Sequence, residues 1–191
     1  MISLESQQTH INQLIERCKK NDSTAQMQVY KCYYKAMYNT SYRILKDEFE
    51  AEDLIQEAFL TAFTKLNSFK GEVTFGAWLK RIVINKSLTQ LKKVSRYDEV
   101  KMDVIPNYEA EEVEIDYSSL EVQRVLNYLQ GLKDNYRIVL TLHLIEGYDY
   151  EEIAQILNYT NENVRTTISR AKKKLKQVLL ASTNKTQVYG G

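Results

Sequence analysis

Apolar residues recur along most of this chain with helical spacing, at intervals of three and four. The pattern predicts helices near Leu4–Lys19, Ala25–Leu45, Glu50–Leu66, Thr74–Lys93, Leu120–Gln130, Asn135–Ile145, Tyr150–Leu157 and Glu162–Leu180. No strand-like alternation of useful length interrupts them, so the expected fold is all-α. Arg96–Ser118 breaks the rhythm: it holds the lone proline, Pro106, and the acidic run E-A-E-E-V-E at 109–114. It reads as a flexible acidic linker over 96–118 between two small helical domains, residues 1–95 and 119–181. The polar stretch 182–191 reads as a disordered tail.

The last two helices carry the sharpest local signals. Asp149 can cap the first, with Glu152 three residues on, a variant of the capping box. Asn158 stands where a left-handed residue is useful, and Thr160 or Asn161 can cap the second helix. That helix has an apolar line of Val164, Ile168, Ala171, Leu175 and Val178, which faces a core. Its other side carries Thr166, Ser169, Arg170 and Lys173, flanked by Arg165, Lys172, Lys174 and Lys176. A cationic helix projecting from a compact helical pair, a helix-turn-helix, suits the DNA major groove. The plainer explanation is a solvated lysine face that complements the helix dipole. The short turn and the capped first helix favour DNA.

Charge changes this picture once it is resolved by segment. The chain of 191 residues has net charge +1. Residues 1–95 hold 14 basic and 10 acidic side chains, net +4; residues 96–119 hold 2 and 8, net −6; residues 120–191 hold 10 and 7, net +3. Two basic blocks flank an acidic one. Cys18 and Cys32 lack the spacing of metal ligands or a redox pair, which suits reduced structural thiols in a cytoplasmic protein. His143 lies in the apolar run 138–145 and reads as a satisfied core histidine. The first twenty residues lack the apolar core of a signal peptide, and no apolar run approaches the length of a membrane span. Tyr30, Tyr34, Tyr38 and Tyr42 recur every four residues; half-buried packing is preferred there over a base-stacking surface.

Three features crowd the first domain. In F-E-A-E-D-L-I-Q-E-A-F-L, the residues Leu54, Ile55, Ala58, Phe59, Ala62, Phe63 and Leu66 mark a buried face, while Glu52, Asp53, Gln56 and Glu57 cluster opposite. That acidic face is either solvated, or docks on a basic partner, or holds two metals; the last lacks its usual histidine. The loop Asn67-Ser68-Phe69-Lys70-Gly71-Glu72-Val73-Thr74-Phe75 offers an aromatic near positive charge, which suits an unpaired base. One of its two phenylalanines, Phe75, is expected to fill the core instead. On the next helix Trp78, Leu79, Ile82 and Val83 look interior, and Arg81, Asn85 and Lys92 form a strip able to track phosphates.

The series resembles a bacterial sigma factor of the small extracytoplasmic-function type, in the sigma-70 family. The matching stretches are E-A-E-D-L-I-Q-E-A-F-L-T-A-F, F-K-G-E-V-T-F-G-A-W-L-K-R-I-V-I-N, Y-R-I-V-L-T-L, and G-Y-D-Y-E-E-I-A-Q-I-L-N with V-R-T-T-I-S-R-A-K-K-K-L, in the family's order. They cover about Ala25–Lys93 (region 2) and Leu120–Leu180 (region 4). The resemblance implies that Asp53, Leu54, Gln56 and Glu57 dock on core RNA polymerase. It implies that Asn67, Ser68, Phe69 and Lys70 capture a flipped base of the −10 element, with Lys80, Arg81 and Asn85 beside it. It points to Arg165, Thr166, Ser169, Arg170 and Lys173 at the −35 element. Promoter DNA and core polymerase are the implied partners, and an anti-sigma factor is usual in the family. No cofactor, metal, small-molecule substrate or catalysis is implied.

Three positions depart from the family's pattern: Lys133 replaces a frequent Pro, Asn158 a usual Gly, and Thr167 an often basic residue. The rival readings are a dimeric helix-turn-helix regulator, a metal-carboxylate hydrolase, and an interaction module that never touches promoters. A linker of 23 residues reaches at most about 76 Å when extended. Promoter elements one and a half turns apart are separated by roughly 50 Å, so the linker spans them. Its charge would keep it off DNA, or mimic DNA inside a basic channel.

Overall fold

The computed structural model describes the backbone of residues 4–98 and 117–188, and side chains over 9–93 and 121–180. Most of the expected linker, 99–116, lies outside the described residues. The described backbone is helical with connecting turns and contains no strand. Packing separates two compact units, Met1–Val94 and Ser95–Gly191.

The first unit is built from α1 (Leu4–Lys19), α2 (Ser23–Leu45), α3 (Glu48–Thr64) and α4 (Phe75–Asp98). Short polar caps explain where these helices start. The Asp22 carboxylate accepts from the Ala25 N–H at 3.1 Å, and Asp47 accepts from the Glu50 N–H at 2.9 Å. Thr74 Oγ1 accepts from the Ala77 N–H at 3.2 Å and opens α4. Each satisfies a donor that the first helical turn leaves orphaned. The apolar stripes then meet in one core: Leu14 and Ile15 of α1, Val29 and Met37 of α2, Ile55, Ala58 and Phe59 of α3, Phe75, Leu79 and Val83 of α4. Between the helices, a buried Ser87 hydroxyl donates to the Ser41 hydroxyl at 3.1 Å and ties α4 to α2. Gln90 donates to Glu50 at 2.6 Å and ties α4 to α3.

At Gly76, in the first turn of α4, an added Cβ would sit 2.8 Å from the Tyr33 ring. Only a glycine lets that turn approach α2 so closely. The tyrosine ladder of α2 is half-buried, with neighbouring rings 5.2, 6.0 and 6.1 Å apart, and Tyr30 packs on Phe59 at 4.7 Å. The rings thus pack on one another and, through Tyr30, on the core. Cys18 is buried, and burial, reinforced by the Asp22 charge, pushes its thiol above the usual range.

The second unit comprises α5 (Tyr117–Gln130), α6 (Asp134–Leu140), a π-helical turn Thr141–Ile145, α7 (Tyr150–Leu157) and α8 (Asn161–Val188). Leu129, Leu132, Val139, Leu140, Leu142, Ile153, Val164, Ile168 and Ala171 form its buried centre. Lys133, where the resemblance leads one to expect a frequent Pro, precedes α6 with φ −57°, within the range that proline enforces. Arg137 is 1% exposed and donates to Asp134 at 2.6 Å. His143, expected in the core, is half-buried instead, with Nδ1 3.1 Å from the Tyr148 carbonyl oxygen.

Three boundaries differ from the sequence reading. Helix α4 extends to Asp98 and α5 begins at Tyr117, because neither stretch 94–98 nor 117–119 contains Gly or Pro. For the same reason, residues 182–188, expected as disordered tail, continue α8; the glycines come only at 190 and 191.

Candidate nucleic-acid interface

Helix α8 presents the most complete surface. The α7 capping box forms: Asp149 accepts from the Glu151 and Glu152 N–H groups at 2.8 Å, and Glu152 accepts from the Asp149 N–H at 2.9 Å. Asn158 then takes the left-handed conformation, φ 56°, and closes α7. Thr160 supplies the next cap, its Oγ1 accepting from the Asn163 N–H at 3.2 Å. Two helices are thus joined by a turn of three residues, 158–160. Val164, Ile168, Ala171 and Leu175 are buried, so the helix has one fixed rotation. Arg165, Thr166, Ser169, Arg170 and Lys173 are all exposed on the remaining face. Thr167, at the often basic position, is half-buried and donates to Asn163 at 3.0 Å.

In the first unit, Glu52, Asp53, Gln56 and Glu57 project from α3 into solvent. Leu54 does not: it is 6% exposed and belongs to the core, as its place in the apolar stripe demands. It sets the rotation of the acidic face rather than lying on it. Two residues missed in the sequence join that face. Phe49 is 82% and Leu60 68% exposed. Positions 49, 53, 56 and 60 follow a helical stripe, which is the signal that would have found them. Glu57 accepts from Lys86 Nζ at 3.2 Å, linking this face to α4.

The loop after α3 begins with a 3₁₀ turn, Leu66–Ser68, with Asn67 and Ser68 exposed. Phe75 is fully buried, as expected. Phe69 corrects the expectation of an open aromatic. It is half-buried, edge-on to Phe75 at 5.7 Å and against Trp78 at 5.4 Å. Quadrupole-favoured ring packing holds it there. Lys70, Gly71, Glu72, Val73 and Thr74 remain exposed, with Gly71 left-handed at φ 78°. Between this loop and Asn12, Ile15, Glu16 and Lys19 of α1 lies an open groove of about 650 Å³. On α4, Asn85 is exposed and Lys80 and Arg81 are half-buried. The structure thus sorts the first unit's candidates into an acidic face on α3 and a polar loop-and-helix surface on 67–85.

Comparison with known proteins places this geometry. Sigma-70 region 2 matches residues 29–97, and Sigma-70 region 4 matches 122–175. The chain is 30% identical to the ECF RNA polymerase sigma factor SigW of Bacillus subtilis, across 88% of this chain and 96% of the relative. It is 29% identical to the RNA polymerase sigma-H factor of Pseudomonas aeruginosa, across 87% and 92%. Among solved structures it is similar to CnrH, seen in complex with the cytosolic domain of CnrY. That match has a TM-score of 0.55 and 25% identity, and covers 88% of this chain and 96% of the other. It shares its fold with the sigma factor RpoE of Bartonella quintana, at TM-score 0.59 and 24% identity over 80% and 95%.

Proposed function

This chain belongs to the ECF sigma factors of the sigma-70 family, which direct promoter-specific transcription initiation, and from that premise we propose how its two units divide the task. In the first unit, Asp53, Gln56 and Glu57, with Phe49 and Leu60, dock on core RNA polymerase, while buried Leu54 fixes the rotation of α3. Asn67, Ser68, Lys70, Lys80, Arg81 and Asn85 engage the −10 element, and capture of a flipped base there offsets a few kcal/mol of unstacking. Phe69 acts from beneath as a wall of the loop. In the second unit, Arg165, Thr166, Ser169, Arg170 and Lys173 meet the −35 element in the major groove. Residues 96–118 tether the two, so each weak contact raises the effective concentration of the other.

The protein acts as a non-catalytic subunit in the cytoplasm. The likeness to CnrH, solved with a partner's cytosolic domain, supports control by an anti-sigma protein. No described helix is long and apolar enough to cross a membrane.

The observation that carries this reading is the α7–α8 pair. A cap, a left-handed Asn and a second cap hold a cationic face outward over a buried seam. The test is reconstitution: capture of core polymerase by the purified chain, then run-off transcription from candidate promoters. Initiation is expected only with the chain present. Arg170→Ala should lower promoter affinity and reduce the slope of log K against log salt by about 1. Absence of initiation on every promoter tried would overturn the assignment of roles. An unchanged salt slope would remove Arg170 from the interface.

A further inference from the structure

Arg165 enters α8 within its first turn and a half, beside the start of α7. Its guanidinium carbon lies 5.2 Å from the centroid of the Tyr150 ring. Tyr150 in turn stacks on His143, with centroids 5.1 Å apart and planes 26° from parallel. His143 is fixed through Nδ1 against the Tyr148 carbonyl oxygen. The stack therefore links the π-helical turn, α7 and α8. Tyr150 is the first residue of α7 and follows the Asp149 cap directly, so the backbone beneath the ring is pinned on both sides.

This arrangement suits a side chain that must be ordered yet available. A guanidinium held over a ring is attracted to the ring's negative face while its N–H donors remain able to reach a phosphate or a base edge. An arginine that rotates freely loses that freedom on binding; one already parked loses less. Tyr150 is half-buried, outside the fully buried group of Ile153, Val164 and Ile168, so one side of its ring is open to Arg165. We propose that Tyr150 is a positioning residue: it holds Arg165 in place for duplex DNA, and His143 steadies the ring. The proposal rests on the reading of α8 as the duplex-contacting helix.

The test uses the full chain with core RNA polymerase and a fully duplex promoter fragment recovered by that holoenzyme from a randomised library. Affinity at fixed salt is measured for Y150L, Y150F, R165A, the double variant Y150L/R165A, and R170A. Y150L is expected to weaken binding about two- to fivefold, the range that an exposed cation–ring contact supplies. Y150F should restore it, because the ring and not the hydroxyl makes the platform. In the R165A background, Y150L should add nothing. Loss of equal size in that background would overturn the proposal, as would no loss in Y150L or failure of Y150F to rescue. R170A separates the two levels of argument. Weakened R170A with unaltered Y150L sinks the positioning role alone; unaltered R165A and R170A together sink the role of α8. Should thermal unfolding show Y150L to be unfolded, Y150M replaces it under the same criteria.

Discussion

Phe75 should behave as the keystone of the first unit, and the cost of replacing it can be worked from its neighbours. Its ring is fully buried and meets Tyr33 at 5.5 Å, Phe69 at 5.7 Å and Trp78 at 5.7 Å. Phe75→Leu keeps an apolar side chain of nearly the same size but removes all three ring pairs. Each such pair contributes about 0.5–1.5 kcal/mol beyond area burial. Phe69 and Trp78 remain 5.4 Å apart and can close on each other, so part of the loss is recovered. The expected destabilisation is about 2 kcal/mol. With a urea dependence of about 1.5 kcal/mol per molar, the midpoint should fall by about 1.3 M. The assay is built in, because Trp78 is the chain's single tryptophan and lies in the cluster. Equilibrium urea unfolding followed by its fluorescence reads the first unit directly. A shift under about 0.3 M would refute the view that these rings carry the loop. If the fold survives, permanganate footprints of strand opening should fade before binding to fully duplex DNA does.

Two further outcomes follow from local geometry. Asp149→Ala removes the acceptor for two α7 N–H groups; the second unit should lose about 1–2 kcal/mol, seen as a lower thermal midpoint by circular dichroism. An unshifted midpoint would show that α7 is held by packing alone. Asp22 gives an acid limb: the Ala25 N–H, then Arg17, hold its carboxyl below the usual range. Because the folded value is lowered, this stabilisation is complete above the ordinary carboxylate pKa of about 4 and disappears as pH falls through the folded value. Asp22→Asn keeps a capping side chain and should flatten thermal midpoints measured from pH 6 to 2.5; an unaltered acid limb would exclude Asp22 as its source.

What the sequence revealed was local. The capping box at Asp149 and Glu152, the left-handed Asn158, and the buried stripe of α8 depend on residues within a turn or two of each other, and all three were readable. Phe75 was legible too, since an aromatic opening an amphipathic helix has a core face waiting for it. The misjudged features depend on distant neighbours. Phe69 looked free because nothing nearby in sequence says that Trp78 and Phe75 will converge on it. Leu54 was read correctly as core from its periodicity with Ile55 and Ala58; only the family resemblance set it on the docking face. Leu60 and Phe49 were passed over in the sequence, although neither falls on the apolar stripe, and the helix turns both outward. The contact of Tyr150 with Arg165 spans fifteen residues and a turn, and periodicity holds no trace of it.

The segment that follows α3 has both of its ends nailed down and little in between. Leu66 is sunk into the interior before it, Phe75 after it, and the bare backbone at Gly76 leans on Tyr33. Of the eight positions 67–74, Asn67, Ser68, Lys70, Glu72 and Val73 face water and could be exchanged as a cassette without moving the landing points; Phe69 must stay aromatic, Gly71 holds a left-handed turn and Thr74 caps α4. With the loop engaging the −10 element as proposed, promoter preference at the melted strand becomes an attribute this scaffold can trade independently of its own folding.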